Sequence, residues 1–151
     1  MNTETRDATV AVLPMDKNKI LLVLNRGEEE RTLPSGKKFP YPSKWGMPRG
    51  RREPKDENEI AAGEREAREE TGYWIKIDSR YRVEEPAGDH VHIAFIGYPV
   101  AGKLELNYEE IIDCRWFSPR VLWVEDPEDK DYLDMHPRQR RMAQKLLIKL
   151  R

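Results

Sequence analysis

Residues 57–72, ENEIAAGEREAREETG, restrict this chain more than any other stretch. Their spacing predicts a helix over Glu57–Thr71. Asp56 is a good N-cap, Glu59 follows it in the manner of a capping box, and Gly72 is a natural stop. With ~100° of rotation per residue, Ile60, Ala67 and Thr71 share one face and turn to a core. Glu66, Glu69 and Glu70 fall on a different sector, at i, i+3 and i+4, so their side chains converge. Like charges at that spacing cost a bare helix a few tenths of a kcal/mol per pair, so something positive must answer them. Arg65 and Arg68 can do so, which would make this a solvated face. Divalent cations can do so too, because hard ions such as Mg²⁺ take carboxylate oxygens and bridge to phosphates.

A chain of 151 residues is expected to form one domain with a real core. The net charge of -1 argues against non-specific attraction to nucleic acid over the whole surface, though not against a local basic face. Cys114 is the only cysteine, which rules out an intramolecular disulfide and a cysteine zinc cluster. No apolar run reaches the ~20 residues of a membrane span. The opening MNTETRDATV lacks the regions of a signal peptide, so a cytoplasmic protein without a membrane partner is expected.

Two apolar runs, Ala8–Met15 and Lys19–Leu24, read as a β-hairpin or two neighbouring strands. Gly27–Lys44 is polar and punctuated by Pro34, Gly36, Pro40 and Pro42, which predicts a long loop. WGMPRGRREP reads as a short strand turning into another loop. Tyr73–Ile77, Arg80–Glu84, His90–Val100 and the DCRWF of 113–117 are further strands. The acidic 125–134 segment is a loop or helical turn. A last helix begins near Pro137, with Met142, Ala143, Leu146, Leu147 and Leu150 as its apolar stripe. Strands on both sides of a central helix, with a second helix at the end, give an α/β fold with a mixed sheet.

Gly50, Glu57, Arg65, Glu66, Ala67, Glu69, Glu70, Gly72 and Tyr73 together resemble the Nudix box, G-x5-E-x7-R-E-U-x-E-E-x-G-U. Six residues, not five, separate Gly50 from Glu57. Either the loop carries an extra residue or Asp56 takes the role of the first Glu. The resemblance implies a single Nudix hydrolase domain over 1–151, with the α/β/α sandwich of that fold. It also implies hydrolysis of a pyrophosphate bond in a nucleoside diphosphate-X substrate with Mg²⁺ or Mn²⁺. By the same resemblance Glu66, Glu69 and Glu70 look like metal-binding and catalytic carboxylates, and the backbone carbonyl of Arg49 like a further ligand. Arg65 looks like the brace of the loop. Metal ions neutralise phosphate charge and acidify water, and a nearby carboxylate can take the proton. The base would be Glu66, Glu69 or Glu70, or one from a later loop, for which Glu109 and Glu110 in NYEEIID are the candidates.

WGMPRG resembles the lead-in of diadenosine polyphosphate hydrolases and of RNA 5′-pyrophosphohydrolases. This makes a dinucleoside polyphosphate the first expected substrate, with an RNA 5′ end second and nucleotide sugars, including ADP-ribose, third. Arg49, Arg51 and Arg52 would add positive charge beside a polyphosphate. Tyr41, Phe39 and Trp45 would stack on a base, with Lys37, Lys38 and Lys44 meeting phosphate, or else be tucked against the domain. His90 and His92 alternate on a strand and face one side, where His92 could line the cleft. The last helix carries Arg138, Arg140, Arg141, Lys145, Lys149 and Arg151, a basic face that would bind RNA or answer the acidic segment before it. A monomer or homodimer is expected. The rivals are a non-catalytic Nudix module that senses a nucleotide and a plain acidic helix in an unrelated fold.

Overall fold

The chain places a central strand where both faces must be covered. In the computed structural model, which describes residues 7–32 and 35–151 and only the backbone of 28–32 and 39–41, β1 (Asp7–Asp16) is buried from Val10 to Pro14. A continuous apolar run, rather than an alternating one, is what such a strand needs. Lys17 and Asn18 both take positive φ, 49° and 64°, and form the two-residue turn into β2 (Lys19–Asn25).

β3 (Glu28–Thr32) and β4 (Lys38–Tyr41) form a separate antiparallel hairpin. This corrects the expected long loop over Gly27–Lys44: the prolines there do not prevent short strand pairing at an edge. Pro34 lies outside the described residues. β5 (Trp45–Gly46) pairs with β2, and β6 (Arg49–Arg51) pairs antiparallel with the first half of β1, with Thr9 opposite Arg51 and Val10 opposite Gly50.

α1 spans Glu59–Thr71, two residues shorter at its start than expected, and its N-cap is Asn58 rather than Asp56. The Asn58 side chain accepts from the Ala61 N–H at 2.8 Å. The Asp56 carboxylate instead accepts from the Arg65 guanidinium and the Glu53 N–H. Gly72 ends the helix with φ 85°, and its N–H donates to the Arg68 carbonyl.

The two stretches 73–77 and 80–84 are one strand, β7 (Tyr73–Ala87), irregular between Asp78 and Arg82, paired antiparallel with β8 (His90–Gly102). The irregularity absorbs the break in alternation without ending the pairing. β8 runs parallel to β1, and β9 (Ile111–Phe117) runs antiparallel to β2. α2 (Pro137–Leu150) closes the chain.

The mixed sheet is therefore clasped on both faces, the α/β/α sandwich expected from the sequence. Val10 and Val12 of β1 point to α1 and pack with Ala62, Ala67, Ile75, Ile77 and Phe95. Ala11 and Leu13, on the other face, pack with Met142, Ala143, Leu146 and Leu147 of α2. Ala67 and Thr71 are buried and Ile60 partly so, as the helical spacing requires.

The basic face of α2 does not answer the acidic segment before it, contrary to one expectation. Arg140 turns inward and donates to the carbonyls of Val121, Leu122, Val124 and Leu133. Arg138, Arg141 and Lys145 converge on Glu85 of β7. The acidic segment is met by Arg120, through Asp129 and Asp131, and by Lys44, through Asp134.

Gly63 sets how closely α1 approaches the sheet. A Cβ there would stand 2.9 Å from Ile77 and 3.0 Å from Val10. Gly63→Leu is expected to lower the free energy of urea unfolding by about 2 kcal/mol through overpacking. An unchanged midpoint would show that the contact is not limiting.

Candidate active site

The site starts with a guanidinium. Arg65, at the middle of α1, donates from Nε to Asp56 Oδ1 at 2.9 Å and from Nη2 to Asp56 Oδ2 at 2.8 Å. This is a bidentate pair, the strongest arrangement available to an Arg and a carboxylate. The same side chain donates to the Arg51 carbonyl at 3.2 Å and to Glu66 at 2.8 Å, and it lies 3.0 Å from Glu53 and 3.3 Å from Glu69. Asp56 in turn accepts from the Glu53 N–H at 2.8 Å, which closes the 53–56 turn. The Arg65 hydrogen bond holds the Asp56 carboxyl down at about 2, against the burial that would raise it.

Asp56 is buried and paired, while Glu57 is exposed. The partner of Arg65 is therefore Asp56, separated from Gly50 by five residues, and the extra residue lies between Asp56 and the helix.

The three glutamates of α1 do not share one environment. Glu70 is only 4% exposed and accepts from the Arg49 N–H at 3.2 Å. Burial pushes its carboxyl up to about 8, opposed by the charge of Arg49 and aided by Glu66 and Glu110. Glu66 lies against Gly50, where any Cβ would overlap its carboxyl group. Burial raises Glu66 to about 7, with Arg65 opposing and Glu69 and Glu110 adding to the rise. Glu69 is exposed.

A polar cavity of about 440 Å³ opens beside them. Arg26, Arg49 and Arg51 bring positive charge to its lining, and Glu70, Glu109 and Glu110 bring negative charge. That volume is in the range of small-molecule sites. The Arg49 guanidinium donates to the Met47 carbonyl at 3.0 Å. With the Asn25 amide turned oxygen-inward, it donates to that oxygen as well, at 3.1 and 2.7 Å.

Other expected substrate contacts lie elsewhere. Trp45 packs edge-on against Phe117 at 5.0 Å, and Lys44 pairs with Asp134 at 2.9 Å. His92 faces the same side as His90, their rings 4.9 Å apart, and its Nδ1 is a buried atom without a hydrogen-bond partner. Trp45, Lys44 and His92 are not among the residues lining the cavity. The side chains of Phe39 and Tyr41 lie outside the described residues. Sequence reasoning missed Asn25, Arg26 and Thr9 as lining residues. Thr9 and Asn25 lie on strands and Arg26 directly follows β2, so no motif marks them, and only the pairing of β2 and β6 with β1 brings them to the box.

The donors fit a hard divalent cation. They are all oxygens, and the buried Glu70 has a backbone N–H rather than a side-chain cation as its hydrogen-bond donor. Among the described residues no three acidic, histidine or cysteine side chains form a ready cage. Mg²⁺ does not need one, because it keeps several waters and binds through one or two carboxylates plus substrate phosphates.

A mixed sheet held between two helices, with a glycine-bounded loop and helix bringing carboxylates to a cavity lined by both arginines and glutamates, is the frame of a hydrolase of phosphate anhydrides. The family model for the NUDIX domain matches residues 5–140, and the chain belongs to the Nudix family of pyrophosphohydrolases. Members of this family act on nucleotide-derived substrates and generally use divalent metals. The fold is similar to that of a MutT protein from Methanosarcina mazei, with 22% identity, 100% of this chain and 99% of that chain covered, and a TM-score of 0.64. A NUDIX hydrolase from Nitrosomonas europaea gives 22% identity, coverage of 95% and 90%, and a TM-score of 0.63. An ADP-ribose pyrophosphatase from Streptococcus suis gives 16%, 97% and 90%, and 0.58. No curated protein sequence matches the chain. Among the described residues no helix is long and apolar enough to cross a membrane.

Because the Asp56 carboxyl is held at about 2, below its ordinary value of 3.8, its contribution to stability is present above pH ~4 and is lost as pH falls towards 2. Asp56→Asn is expected to cost about 1–2 kcal/mol near neutral pH, with the open side of the loop allowed for, and the gap to wild type should close in acid. Urea titrations at several pH values measure it. A gap that widens in acid would remove the pair as its source.

Proposed function

We propose that this chain hydrolyses a pyrophosphate bond in a nucleoside diphosphate-X substrate with the help of Mg²⁺ or Mn²⁺. Dinucleoside polyphosphates are the leading substrates. The observation that carries the reading is Glu70, a carboxylate only 4% exposed on the wall of a cavity that also presents three arginines, with the half-buried Glu66 one helical turn away. A solvated surface helix has no reason to bury Glu70.

Glu66, Glu69 and Glu70, with the Arg49 carbonyl, would hold the cation. Bound there, a divalent ion would neutralise phosphate charge and lower the pKa of water. Arg65 positions Glu66 and ties the 51–56 loop to the helix. Arg26, Arg49 and Arg51 draw the polyphosphate to the cavity and balance its charge. Glu110 lines the same cavity as Glu70, where it can accept the proton of an attacking water, with Glu66 or Glu69 as the alternative base.

Nucleotide sugars, ADP-ribose among them, are the second reading, since structural neighbours include an ADP-ribose pyrophosphatase and a UDP-X diphosphatase. The RNA 5′ end is the third reading, supported by the WGMPRG lead-in.

Phosphate and nucleotide release from a panel of dinucleoside polyphosphates, nucleotide sugars and capped or triphosphorylated RNA, with and without Mg²⁺ or Mn²⁺, tests the assignment. Glu70→Gln can still accept from the Arg49 N–H, so the fold should persist. Glu70→Gln and Glu69→Gln are each expected to reduce metal-dependent turnover by at least ~100-fold. Full turnover in both variants, with unchanged thermal melting, would sink the assignment of these carboxylates.

A further inference from the structure

The cavity has charge for phosphates on its walls but no aromatic side chain among its lining residues. The aromatics expected to meet a base are used elsewhere or lie outside the described side chains. Trp45 is packed on Phe117. The other exposed tryptophans are already covered: Arg68 lies 4.5 Å over Trp74, and Arg151 lies 5.8 Å over Trp123.

Tyr108 differs. At 67% exposed it is the most exposed aromatic among the described residues, and no described ring or cation lies over it. It immediately precedes Glu109 and Glu110, both of which line the cavity. Its position is also fixed. Asn107 starts a tight turn, its carbonyl accepting from the Glu110 N–H at 3.1 Å and the Ile111 N–H at 2.8 Å, and its side chain accepting from the Glu109 N–H at 3.2 Å. That turn is clipped to the end of β2: the Arg26 N–H donates to the Glu110 carbonyl at 2.8 Å, and the Arg26 guanidinium donates to the Tyr108 carbonyl at 2.7 Å.

The result is an uncovered aromatic ring on a pinned turn, one residue from the cavity wall and beside a lining arginine. Most of its surface is open to solvent. A ligand gains a preformed flat surface without having to order the loop.

We propose that Tyr108 is the platform on which the nucleobase of the substrate stacks at the mouth of the cavity, a reading that rests on the nucleotide-hydrolase assignment above. Phosphates would sit deeper, among Arg26, Arg49 and Arg51, with the base outside against the Tyr108 ring. Stacking of this kind tolerates any base, because every base has a π-face. The platform would therefore favour nucleotides over base-free phosphates more than one nucleobase over another.

The test is calorimetric binding to the intact chain with Mg²⁺ present, using ATP and UTP as nucleotide probes and inorganic tripolyphosphate as the base-free probe. Tyr108→Ala is expected to weaken ATP and UTP by roughly tenfold and tripolyphosphate far less, while Tyr108→Phe restores nucleotide affinity. With whichever nucleotide the wild-type protein turns over, Tyr108→Ala should raise KM with kcat nearly constant. Equal losses for ATP and tripolyphosphate, no loss for either, or failure of Tyr108→Phe to recover would each overturn the proposal. If the wild type hydrolyses no nucleotide, the assignment above fails by itself, and the binding comparison still decides the role of Tyr108.

Discussion

One guanidinium carries much of the structure around the cavity. Arg65 joins the 51–56 loop to α1 by grasping Asp56 with two hydrogen bonds and the Arg51 carbonyl with another, while it also meets Glu53, Glu66 and Glu69. Four carboxylates around one cation would repel each other strongly in a partly dry site. They are tolerated because Asp56 takes the strongest pairing and stays ionised, while burial moves Glu66 towards its neutral form. The same group thus ties the 51–56 loop to the helix and shares its charge among the acidic side chains around it.

Burial links the fold to the chemistry. Glu70 is buried by the sheet that α1 packs against, and its anchor is the Arg49 N–H rather than a side-chain cation. A buried carboxylate with one neutral donor is poorly satisfied, and an added positive charge would relieve it. Gly50 lets Glu66 lie directly on the β6 backbone, which a side chain would prevent. The glycine, the loop and the helix form one device, and the sheet provides the wall against which it is pressed. On the far side, the end of β2 and the 107–110 turn supply Arg26, Glu109 and Glu110 to the same cavity.

How much of this was legible in the sequence depended on how local each feature was. The helix, its core face and its stop at Gly72 follow from periodicity and from the left-handed φ that a glycine accepts. The strands β1, β2, β8 and β9 were legible because β-branched and apolar residues recur between turn residues. The start of α1 was misread because Asp56 is a good N-cap in isolation, and only the position of Arg65, nine residues later, shows that its oxygens are engaged elsewhere. The β3–β4 hairpin was read as loop because its strands are polar and contain proline. For Trp45 the sequence leaves open a base platform or a side chain tucked against the domain, and the packing of Phe117 decides for the second.

The sequence alone determined the spacing of Arg65, Glu66, Glu69 and Glu70, and with it the family, because those positions are set by helical geometry within a few turns. It also determined which residues of α1 and α2 must face the sheet. The choice of Asp56 over Glu57 as the partner of Arg65, the burial that separates Glu70 from the exposed Glu69, and the meeting of Arg26 with Tyr108 were decided by tertiary structure. Each depends on atoms far apart in the chain, and desolvation and hydrogen-bond geometry are properties of where those atoms end up rather than of which residues are present.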